Sequence, residues 1–368
     1  MGISTISVGV VGLGFGAQVC IPGFQACPDT EVIAVCSHTR AKAEAVAAQY
    51  QIPNAFDDYD TMLQLDGLDA VDVTTPPYLH RQMVVAALRA GKHVLCEKPM
   101  ALAVDEAAEM HRTARDNRLV GMIDHEYRFL PPWAYMKKLI QDGYLGQLYT
   151  VDLTAYTSAW ADPERPPAWA APDQSPWNWL AQKEKGGGIL GALGSHLIDG
   201  LHWFFGDIES VCGQLGPFVG HRRHLPSGEM RAVSADDSFA FLLRFAGGGQ
   251  GAVRVSFVVW GGSGIQLKAY GSDGTLMLEN LLHPAGKLLG ARQGENQLAE
   301  LPIPGEFQFD MEYEDRRLGP FIGLVKTMVE GIRTGSEVSP SFADGLKVQK
   351  VMDALGRSDE AGQWVQVV

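Results

Sequence analysis

A buried strand that runs into a glycine-rich turn constrains the fold of this chain more than any other feature. Residues 6–11 (Ile-Ser-Val-Gly-Val-Val) have the apolar character of an interior strand, and a GxGxxA run follows at once. Its first glycine permits a tight turn, its second lets the backbone approach a pyrophosphate, and the alanine is small enough for helix–strand packing. The amino terminus of the following helix adds free N–H groups for an anion. The segment predicts a dinucleotide-binding turn formed by Gly12, Gly14, Phe15, Gly16 and Ala17.

Predicted strands and helices alternate over the first third of the chain. Strands are predicted at residues 6–11, 31–36, 71–74, 93–96 and 119–123, and helices at 41–50, 79–90 and 103–117. Such alternation implies a doubly wound parallel sheet, because parallel neighbours need a crossover connection. We therefore predict an α/β fold with a Rossmann NAD(P)-binding domain over residues 1–124.

The pattern changes to the two-residue period of half-buried strands after about residue 124. Strands are predicted at 148–156, 239–245 and 253–259, with turns at Gly247-Gly248-Gly249 and Gly271-Ser272-Asp273-Gly274, and helices near 318–334 and 342–356. We predict a substrate-binding and oligomerisation domain of α+β type over residues 125–368. Its sheet is large, open-faced and mainly antiparallel, and the helix over 342–356 is a candidate to pack back on the first domain.

The end of the second predicted strand bears on the choice between NAD and NADP. The NAD-type fingerprint carries an acidic residue there, whereas this chain has Ser37-His38-Thr39-Arg40. Without a carboxylate nothing repels a 2′-phosphate. Ser37 can hydrogen-bond to the phosphate, and His38 or Arg40 can add positive charge. We predict NADP, with NAD bound through Ser37 beside a solvated Arg40 as the alternative.

A lysine stands at the end of the strand at residues 93–96, where Glu97-Lys98-Pro99 follows. Lysine is costly to bury without a partner, and ligands of open parallel sheets bind beyond the carboxyl ends of the strands. Oxidation of a secondary alcohol requires a base for the hydroxyl proton and a cation for the developing alkoxide. Lys98 can serve as both if burial and a nearby nicotinamide cation lower its pKa. The alternative is a strand-end lysine in a salt bridge.

Several motifs together resemble the Gfo/Idh/MocA oxidoreductases, the family of glucose–fructose oxidoreductase and inositol dehydrogenase. They are Val10-Val11-Gly12-Leu13-Gly14, Thr74-Thr75-Pro76-Pro77-Tyr78-Leu79-His80, Glu97-Lys98-Pro99, Tyr127-Arg128-Phe129, Asp142-Gly143-Tyr144-Leu145-Gly146, Gly186-Gly187-Gly188, Gly194-Ser195-His196 and Pro340-Ser341-Phe342-Ala343-Asp344-Gly345-Leu346. The resemblance implies bound NAD or NADP, usually a sugar or cyclitol substrate, and a homodimer or homotetramer built through the second domain. It implies that Thr75, Pro76 and His80 lie along the cofactor. Glu97 and Lys98 would approach the nicotinamide ribose, and the Lys98–Pro99 peptide is often cis in such proteins.

His196 lies on a predicted helix that begins near Gly188, and we predict that it is catalytic together with Lys98. The family motif carries an aspartate, a glycine, a histidine and a further aspartate. Gly194, His196 and Asp199 match it, whereas Ala192 replaces the first aspartate, which helps to handle substrate in the family. Either Asp199 orients His196, or the substrate brings its own polar group, or the catalytic repertoire is reduced. A histidine satisfied within the core is the alternative to any catalytic role.

Further candidates for substrate binding follow the last strand of the first domain and lie in a long loop. Tyr127 and Arg128 come directly after that strand. Arg128 suits either a substrate hydroxyl or carboxylate, or a salt bridge at the domain junction. The loop at residues 157–185 carries four tryptophans among five prolines. Trp179 is the candidate to stack on a sugar ring, and anchoring of the loop is the alternative.

Bulk properties exclude several classes of partner. The net charge of −13 argues against nucleic acid, and no apolar run reaches membrane-spanning length. The start of the chain, Met1-Gly2-Ile3-Ser4-Thr5, has no basic start or signal-peptide core. Five cysteines without a CxxC pair suit a reducing cytosol, so we expect a cytoplasmic protein. We predict no metal site, because His202 turns away from His196 on the helix.

These observations predict an NAD(P)-dependent oxidoreductase acting on a secondary hydroxyl or ketone of a sugar, cyclitol or related compound. A redox-neutral glycosidase or lyase, in which a bound nucleotide oxidises the sugar transiently, is an alternative because Ala192 replaces a carboxylate. A non-catalytic dinucleotide-binding protein is a further alternative, and Ala192 alone supports it.

Overall fold

The computed structural model of the chain describes residues 5–170 and 173–368. The first four residues, on which we argued against a signal peptide, lie outside this part. The chain divides into two compact units. The first comprises the chain up to Phe129 together with Met311–Gln349, and the second comprises Leu130–Asp310 together with Lys350–Val368. The sequence-based assignment counts residues 311–349 with the second domain, whereas in the structure they group with the first unit.

The first unit contains a six-stranded parallel sheet. Its strands are β1 (Ile6–Val11), β2 (Thr30–Cys36), β3 (Asn54–Phe56), β4 (Ala70–Val73), β5 (His93–Cys96) and β6 (Gly121–Ile123). They lie in the order β3-β2-β1-β4-β5-β6. The order reverses between β1 and β4, which is where a doubly wound sheet binds its ligand. The predicted Rossmann-like fold class is confirmed.

Helices cover this sheet and also occur in the second unit. The α-helices in the described residues are α1 (Ile21–Ala26), α2 (Arg40–Tyr50), α3 (Tyr59–Leu63), α4 (His80–Arg89), α5 (Val104–Asn117), α6 (Pro131–Gln141), α7 (Ser195–Phe205), α8 (Leu318–Thr334) and α9 (Phe342–Ala361). Helix α8 joins the first unit because its apolar face packs on α1. Phe24 and Phe321 meet edge to face with ring centroids 5.5 Å apart. A Cβ at Gly23 would lie 2.4 Å from the Phe321 ring, so this close approach requires glycine.

The second unit contains a nine-stranded mixed sheet and a separate two-stranded hairpin. Its strands are β7 (Leu148–Tyr156), β8 (Ile208–Gly216), β9 (His221–His224), β10 (Glu229–Ala232), β11 (Ser238–Phe245), β12 (Gln250–Ser256), β13 (Gly264–Gly271), β14 (Gly274–Glu279), β15 (Lys287–Arg292), β16 (Ala299–Glu300) and β17 (Val365–Gln366). The large sheet runs in the order β16-β15-β14-β13-β7-β12-β11-β8-β17. Strands β11 and β12 pair antiparallel, as do β13 and β14, so both predicted turns join neighbouring strands. Strand β7 runs parallel to β12, which makes the sheet mixed.

Two further properties of the described residues concern membrane-spanning helices and the state of the cysteines. None of the helices found there combines the length and the apolar character needed to cross a membrane. All five cysteines are free thiols, and four of them are buried.

Candidate active site

The turn after β1 has the geometry that a dinucleotide requires. Gly12 has a φ of +96°, a conformation that side chains of L-residues rarely adopt. A Cβ at Gly12 would also lie 2.6 Å from the carbonyl of Thr74, which follows β4. By contrast, a Cβ at the exposed Gly14 would meet no described atom within 4 Å. Gly12 is therefore required by the fold, whereas Gly14 leaves open space of the kind a pyrophosphate would fill.

The residues after Gly14 connect the turn to the sheet. Gly16 begins a short π-helical segment, Gly16–Cys20, that continues into α1. A Cβ at Gly16 would lie 2.5 Å from the Thr74 hydroxyl oxygen, so Gly16 makes the close contact that the sequence assigns to Ala17. The carbonyl of Ala17 accepts a hydrogen bond from the Tyr50 hydroxyl at 2.6 Å. Phe15 is half-buried beneath the Arg317 guanidinium, 5.6 Å from the ring centroid.

The end of β2 carries the residues predicted to choose between NAD and NADP. Ser37 is buried and its N–H donates to the carbonyl of Phe56 at 3.1 Å. His38 and Arg40 are exposed. The Arg40 guanidinium donates to the Glu44 carboxylate at 2.8 Å, and the charge of Asp57 also acts on it. The negative charges of Glu44 and Asp57 thus act on Arg40, the arginine predicted to interact with a 2′-phosphate.

The loop after β4 is tied to the loop after β5 through His80. The imidazole is buried, with Nε2 2.6 Å from the Thr75 carbonyl oxygen and Nδ1 3.0 Å from the Pro99 carbonyl oxygen. Burial lowers its pKa, and these carbonyl oxygens partly oppose that shift. Thr75 and Pro76 remain half-buried at the end of the strand. The side chain of His80 therefore holds the two loops together.

Lys98 lies at the carboxyl edge of the sheet, where β4, β5 and β6 end side by side. The register pairs Val73 with Cys96 and Cys96 with Ile123, so the residues that follow these strands are neighbours. Lys98 is half-buried, its N–H donates to the Glu97 carboxylate at 3.1 Å, and the Lys98–Pro99 peptide is cis. This edge brings Lys98 close to several acidic side chains.

Buried carboxyl groups beneath Lys98 form a cluster that sequence reasoning did not identify. We call it the carboxyl cluster and define it as Asp72 in β4, Glu97 after β5, and Asp124 and Glu126 after β6, each at most 8% exposed. The thiol of Cys20 and the carboxyl oxygens of Glu97 and Asp124 lie within 4.8 Å of one another. The signal in the sequence is an acidic residue inside the apolar strand Val71-Asp72-Val73 and two more directly after a buried strand.

Burial raises the pKa of three members of the carboxyl cluster. It raises the pKa of Asp72 and of Asp124 well above the usual range, and the charges of neighbouring carboxylates add to the effect. It also raises the pKa of Glu126 to about 7, even though the positive charge of Lys98 opposes the shift. The thiol of Cys20 has a raised pKa for the same reason. Like charges this close disfavour simultaneous ionisation, which is why the pKa values of Asp72, Asp124 and Glu126 rise together.

Tyr127 and Arg128 follow the cluster on a short 3₁₀ segment, Glu126–Phe129. The buried Arg128 guanidinium lies 3.3 Å from the Asp344 carboxylate and donates to the Ser339 hydroxyl at 2.6 Å. Arg128 therefore forms a salt bridge, the alternative to a substrate contact, and its partner Asp344 belongs to the same unit. Burial raises the pKa of Tyr127, and the charge of Glu126 adds to this while Arg316 opposes it.

In the second unit, His196 lies on the first turn of α7. A π-helical segment, Leu190–Gly194, leads directly into the helix. The Asp236 carboxylate accepts a hydrogen bond from the N–H of Leu190 at 2.8 Å, and burial raises the pKa of Asp236 to about 7. His196 and Asp199 are both buried, whereas Ala192, one turn earlier, is half-buried. The segment thus presents histidine and aspartate three residues apart, with no carboxylate at 192.

The tryptophan-rich loop of the second unit is partly anchored and partly accessible. Trp160 is buried with the Arg222 guanidinium 3.9 Å above its ring, and the Trp177 indole donates to the Ala232 carbonyl at 2.8 Å. These two side chains hold the loop. Trp169 is 42% exposed and Trp179 is half-buried. The Trp169 ring packs edge to face on Trp160 and Phe257, so it also helps to anchor the loop.

Comparison with known families and proteins identifies two regions of the chain. Residues 6–125 match the model of an oxidoreductase family with an NAD-binding Rossmann fold. Residues 133–277 match the model of the GFO/IDH/MocA C-terminal domain. Together the two matches span most of the chain.

Individual relatives are similar over nearly their full length. An uncharacterized oxidoreductase of Synechocystis sp. is 33% identical over 98% of this chain and 96% of its own. Levoglucosan dehydrogenase of Pseudarthrobacter phenanthrenivorans is 28% identical over 99% of each chain. A solved structure of levoglucosan dehydrogenase in complex with NADH and L-sorbose superposes with a TM-score of 0.89 at 25% identity, over 99% of each chain.

Proposed function

The chain belongs to the GFO/IDH/MocA oxidoreductases, and from this premise we propose that it transfers a hydride between a nicotinamide dinucleotide and a sugar or cyclitol. The reacting group is a secondary hydroxyl, or the ketone formed from it. The observation that carries the proposal is Lys98, which stands at the carboxyl edge of a dinucleotide-binding sheet beside buried carboxyl groups.

The first unit fits a dinucleotide on grounds of its own geometry. The turn after β1 leaves open space at Gly14, and the free N–H groups of the following helical segment suit a diphosphate. Gly12, Gly14 and Gly16 would hold that diphosphate, and Ser37 would hydrogen-bond to the adenosine ribose. When bound, the nicotinamide supplies hydride transfer. The protein supplies binding, orientation and the proton.

In this proposal Lys98 handles the proton of the reacting hydroxyl. As an amine it accepts that proton during oxidation, and as an ammonium it stabilises a developing alkoxide. His196 is proposed as the second catalytic group, a hydrogen-bond partner of the substrate oxygen, with Asp199 as the carboxylate on the same helix face. Trp179 is the proposed aromatic contact of the sugar ring.

An activity screen tests the proposed function. Purified protein is incubated with NAD or NADP and a panel of hexoses, anhydrosugars including levoglucosan, and cyclitols, and nicotinamide absorbance is followed. We expect turnover with at least one sugar or cyclitol. Aryl glycosides are included, because glycoside cleavage without net change of the nucleotide would support the redox-neutral alternative instead. No turnover on any member of the panel, despite tight nucleotide binding, would count against the proposal.

We propose NADP as the cofactor, held through Ser37 and by positive charge from His38 or Arg40, with NAD bound through Ser37 as the alternative. Arg40 supplies positive charge for the 2′-phosphate, and the negative charges of Glu44 and Asp57 weaken its attraction for that phosphate. Replacing Arg40 with alanine is expected to weaken NADP binding about five-fold, the modest effect of an exposed charge, and to leave NAD binding unchanged. Fluorescence titration with NADH and NADPH measures both dissociation constants. Equal changes for the two nucleotides would show that Arg40 does not meet the 2′-phosphate.

We also propose a homodimer or homotetramer that forms through the nine-stranded sheet. The support is a sheet whose buried and exposed residues alternate, with Leu242 on β11 52% exposed and Tyr270 on β13 38% exposed on the same face. Exposed apolar side chains on a regular sheet are typical of a surface that another subunit covers. Light scattering of the purified protein measures the mass, and a monomer at micromolar concentration would overturn this part of the proposal.

A further inference from the structure

Three members of the carboxyl cluster, Glu126, Asp124 and Glu97, form a connected row with Lys98 in the first unit. The positive charge of Lys98 acts on the Glu126 carboxyl. Glu126 is hydrogen-bonded through its side chain to Asp124, and Asp124 is hydrogen-bonded to Glu97. The Glu97 carboxylate in turn accepts the backbone N–H of Lys98, which does not titrate. A proton from the substrate therefore enters the row through the Lys98 side chain, whose charge acts on Glu126.

The hydrogen bonding inside this row requires protons. Two carboxylates cannot hydrogen-bond to each other unless one of them carries a proton. Asp72 Oδ2, Glu97 Oε1 and Asp124 Oδ1 are buried and have no hydrogen-bond partner among the residues that the structure describes. A buried acceptor without a donor is costly, and a shared or additional proton relieves that cost.

We propose that Glu126 accepts the proton that Lys98 takes from the substrate, and that Asp124 and Glu97 share the protons of the resulting row. The inference rests on the proposed dehydrogenase function. During oxidation the O–H bond of the substrate breaks and an N–H bond forms on Lys98. That N–H bond then breaks and an O–H bond forms on Glu126, while the hydride leaves the substrate carbon for the bound nucleotide. During reduction each proton moves in the opposite direction. Glu126 thus acts through Lys98 as a positioning and proton-accepting residue.

Its burial and the charged groups around it suit Glu126 to accept a proton from Lys98. Burial raises its pKa to about 7, so that it can take up and release a proton near neutral pH. The groups that face it are Lys98, Glu97 and Asp124, with Tyr127 beside it and Arg316 acting on Tyr127.

The pH dependence of turnover provides the first test. With the sugar that gives the highest turnover in the screen, kcat for oxidation is expected to rise through an apparent pKa near 7 in the wild type, because Glu126 must be ionised to accept a proton. In Glu126→Gln we expect the rise of kcat near pH 7, the acidic limb of the pH profile, to disappear. We also expect kcat at pH 8 to fall about 10²-fold, with KM little changed. Glu126→Asp is expected to restore part of the activity and the limb. Glu31→Gln, the same change at an exposed glutamate in β2, is the control.

Retention of the limb near pH 7 by Glu126→Gln would overturn the inference. A uniform loss of activity at every pH, with no recovery in Glu126→Asp, would assign Glu126 a purely structural role and would also overturn it.

Infrared spectroscopy of the nucleotide-free protein tests the inference independently of activity. Between pH 5.5 and 8.5 we expect loss of a protonated-carboxyl C=O band in the wild type and in Glu31→Gln, and absence of this change in Glu126→Gln. An identical loss in Glu126→Gln would contradict the inference even if the protein is an active dehydrogenase. A positive infrared result with no turnover on the panel would instead count against the proposed function alone.

Stoichiometric binding of Zn²⁺ or Mg²⁺ after dialysis, with no titrating band, would assign the cluster to a metal and overturn the inference.

Discussion

Replacing Lys98 with methionine is expected to lower kcat about 10³-fold while leaving the dissociation constant of the nucleotide within about threefold. Methionine has similar length and no charge, so the variant removes the proton acceptor and the cation together. Steady-state rates with the best substrate of the screen measure kcat, and fluorescence titration measures nucleotide binding. The loss falls on kcat because both contributions of Lys98 act on the reacting oxygen in the transition state.

The matched control is Lys287→Met, which makes the same change at an exposed lysine that pairs with Glu300 in the second unit. We expect this variant to retain wild-type turnover, because surface ion pairs contribute little. If Lys98→Met keeps more than about a tenth of wild-type kcat, Lys98 is not the proton acceptor and the proposed chemistry fails.

Replacing Gly14 with alanine is expected to raise the dissociation constant of NADH about 10- to 100-fold and to change the free energy of unfolding by less than about 1 kcal/mol. The added methyl meets no described atom in the nucleotide-free chain, so the fold tolerates it. The same methyl would occupy the space of the pyrophosphate and weaken hydrogen bonds from backbone N–H groups to a charged ligand. Calorimetric titration and urea unfolding measure the two quantities.

Gly12→Ala provides the contrast within the same turn. Its φ of +96° and the 2.6 Å approach of a Cβ to Thr74 are properties of the fold itself. We expect a loss of about 3 kcal/mol or more in the free energy of unfolding, from backbone strain and overlap combined. If both variants lose stability equally, or if Gly14→Ala binds NADH normally, the assignment of the turn is wrong.

Much of the first unit follows from local sequence because its signals are local. The apolar strands at 6–11 and 93–96 occur as predicted, and the glycine turn follows the first of them. Short elements such as β3 (Asn54–Phe56) carry too few residues to show a period, and only pairing with β2 defines them. The grouping of α8 with the first unit depends on contacts such as Phe24 with Phe321, which are distant in sequence.

The sequence pointed to several polar residues but did not decide between their possible roles. Arg128 has two equivalent interpretations in the sequence, and the structure pairs it with Asp344, more than two hundred residues away. His80 matches a motif that implies a position along the cofactor, yet both of its ring nitrogens face backbone carbonyl oxygens. Local sequence does not reveal the partners of a buried polar group, because those partners come from other strands.

The amino-acid sequence by itself determined the parallel sheet, the dinucleotide turn and the position of Lys98, since strand periodicity and turn chemistry are properties of adjacent residues. Only the tertiary structure brought Asp72, Glu97, Asp124 and Glu126 into one buried cluster, because the parallel register aligns the ends of β4, β5 and β6. The raised pKa values of Asp72, Asp124 and Glu126 follow from burial and mutual repulsion, which exist only once these strands lie side by side.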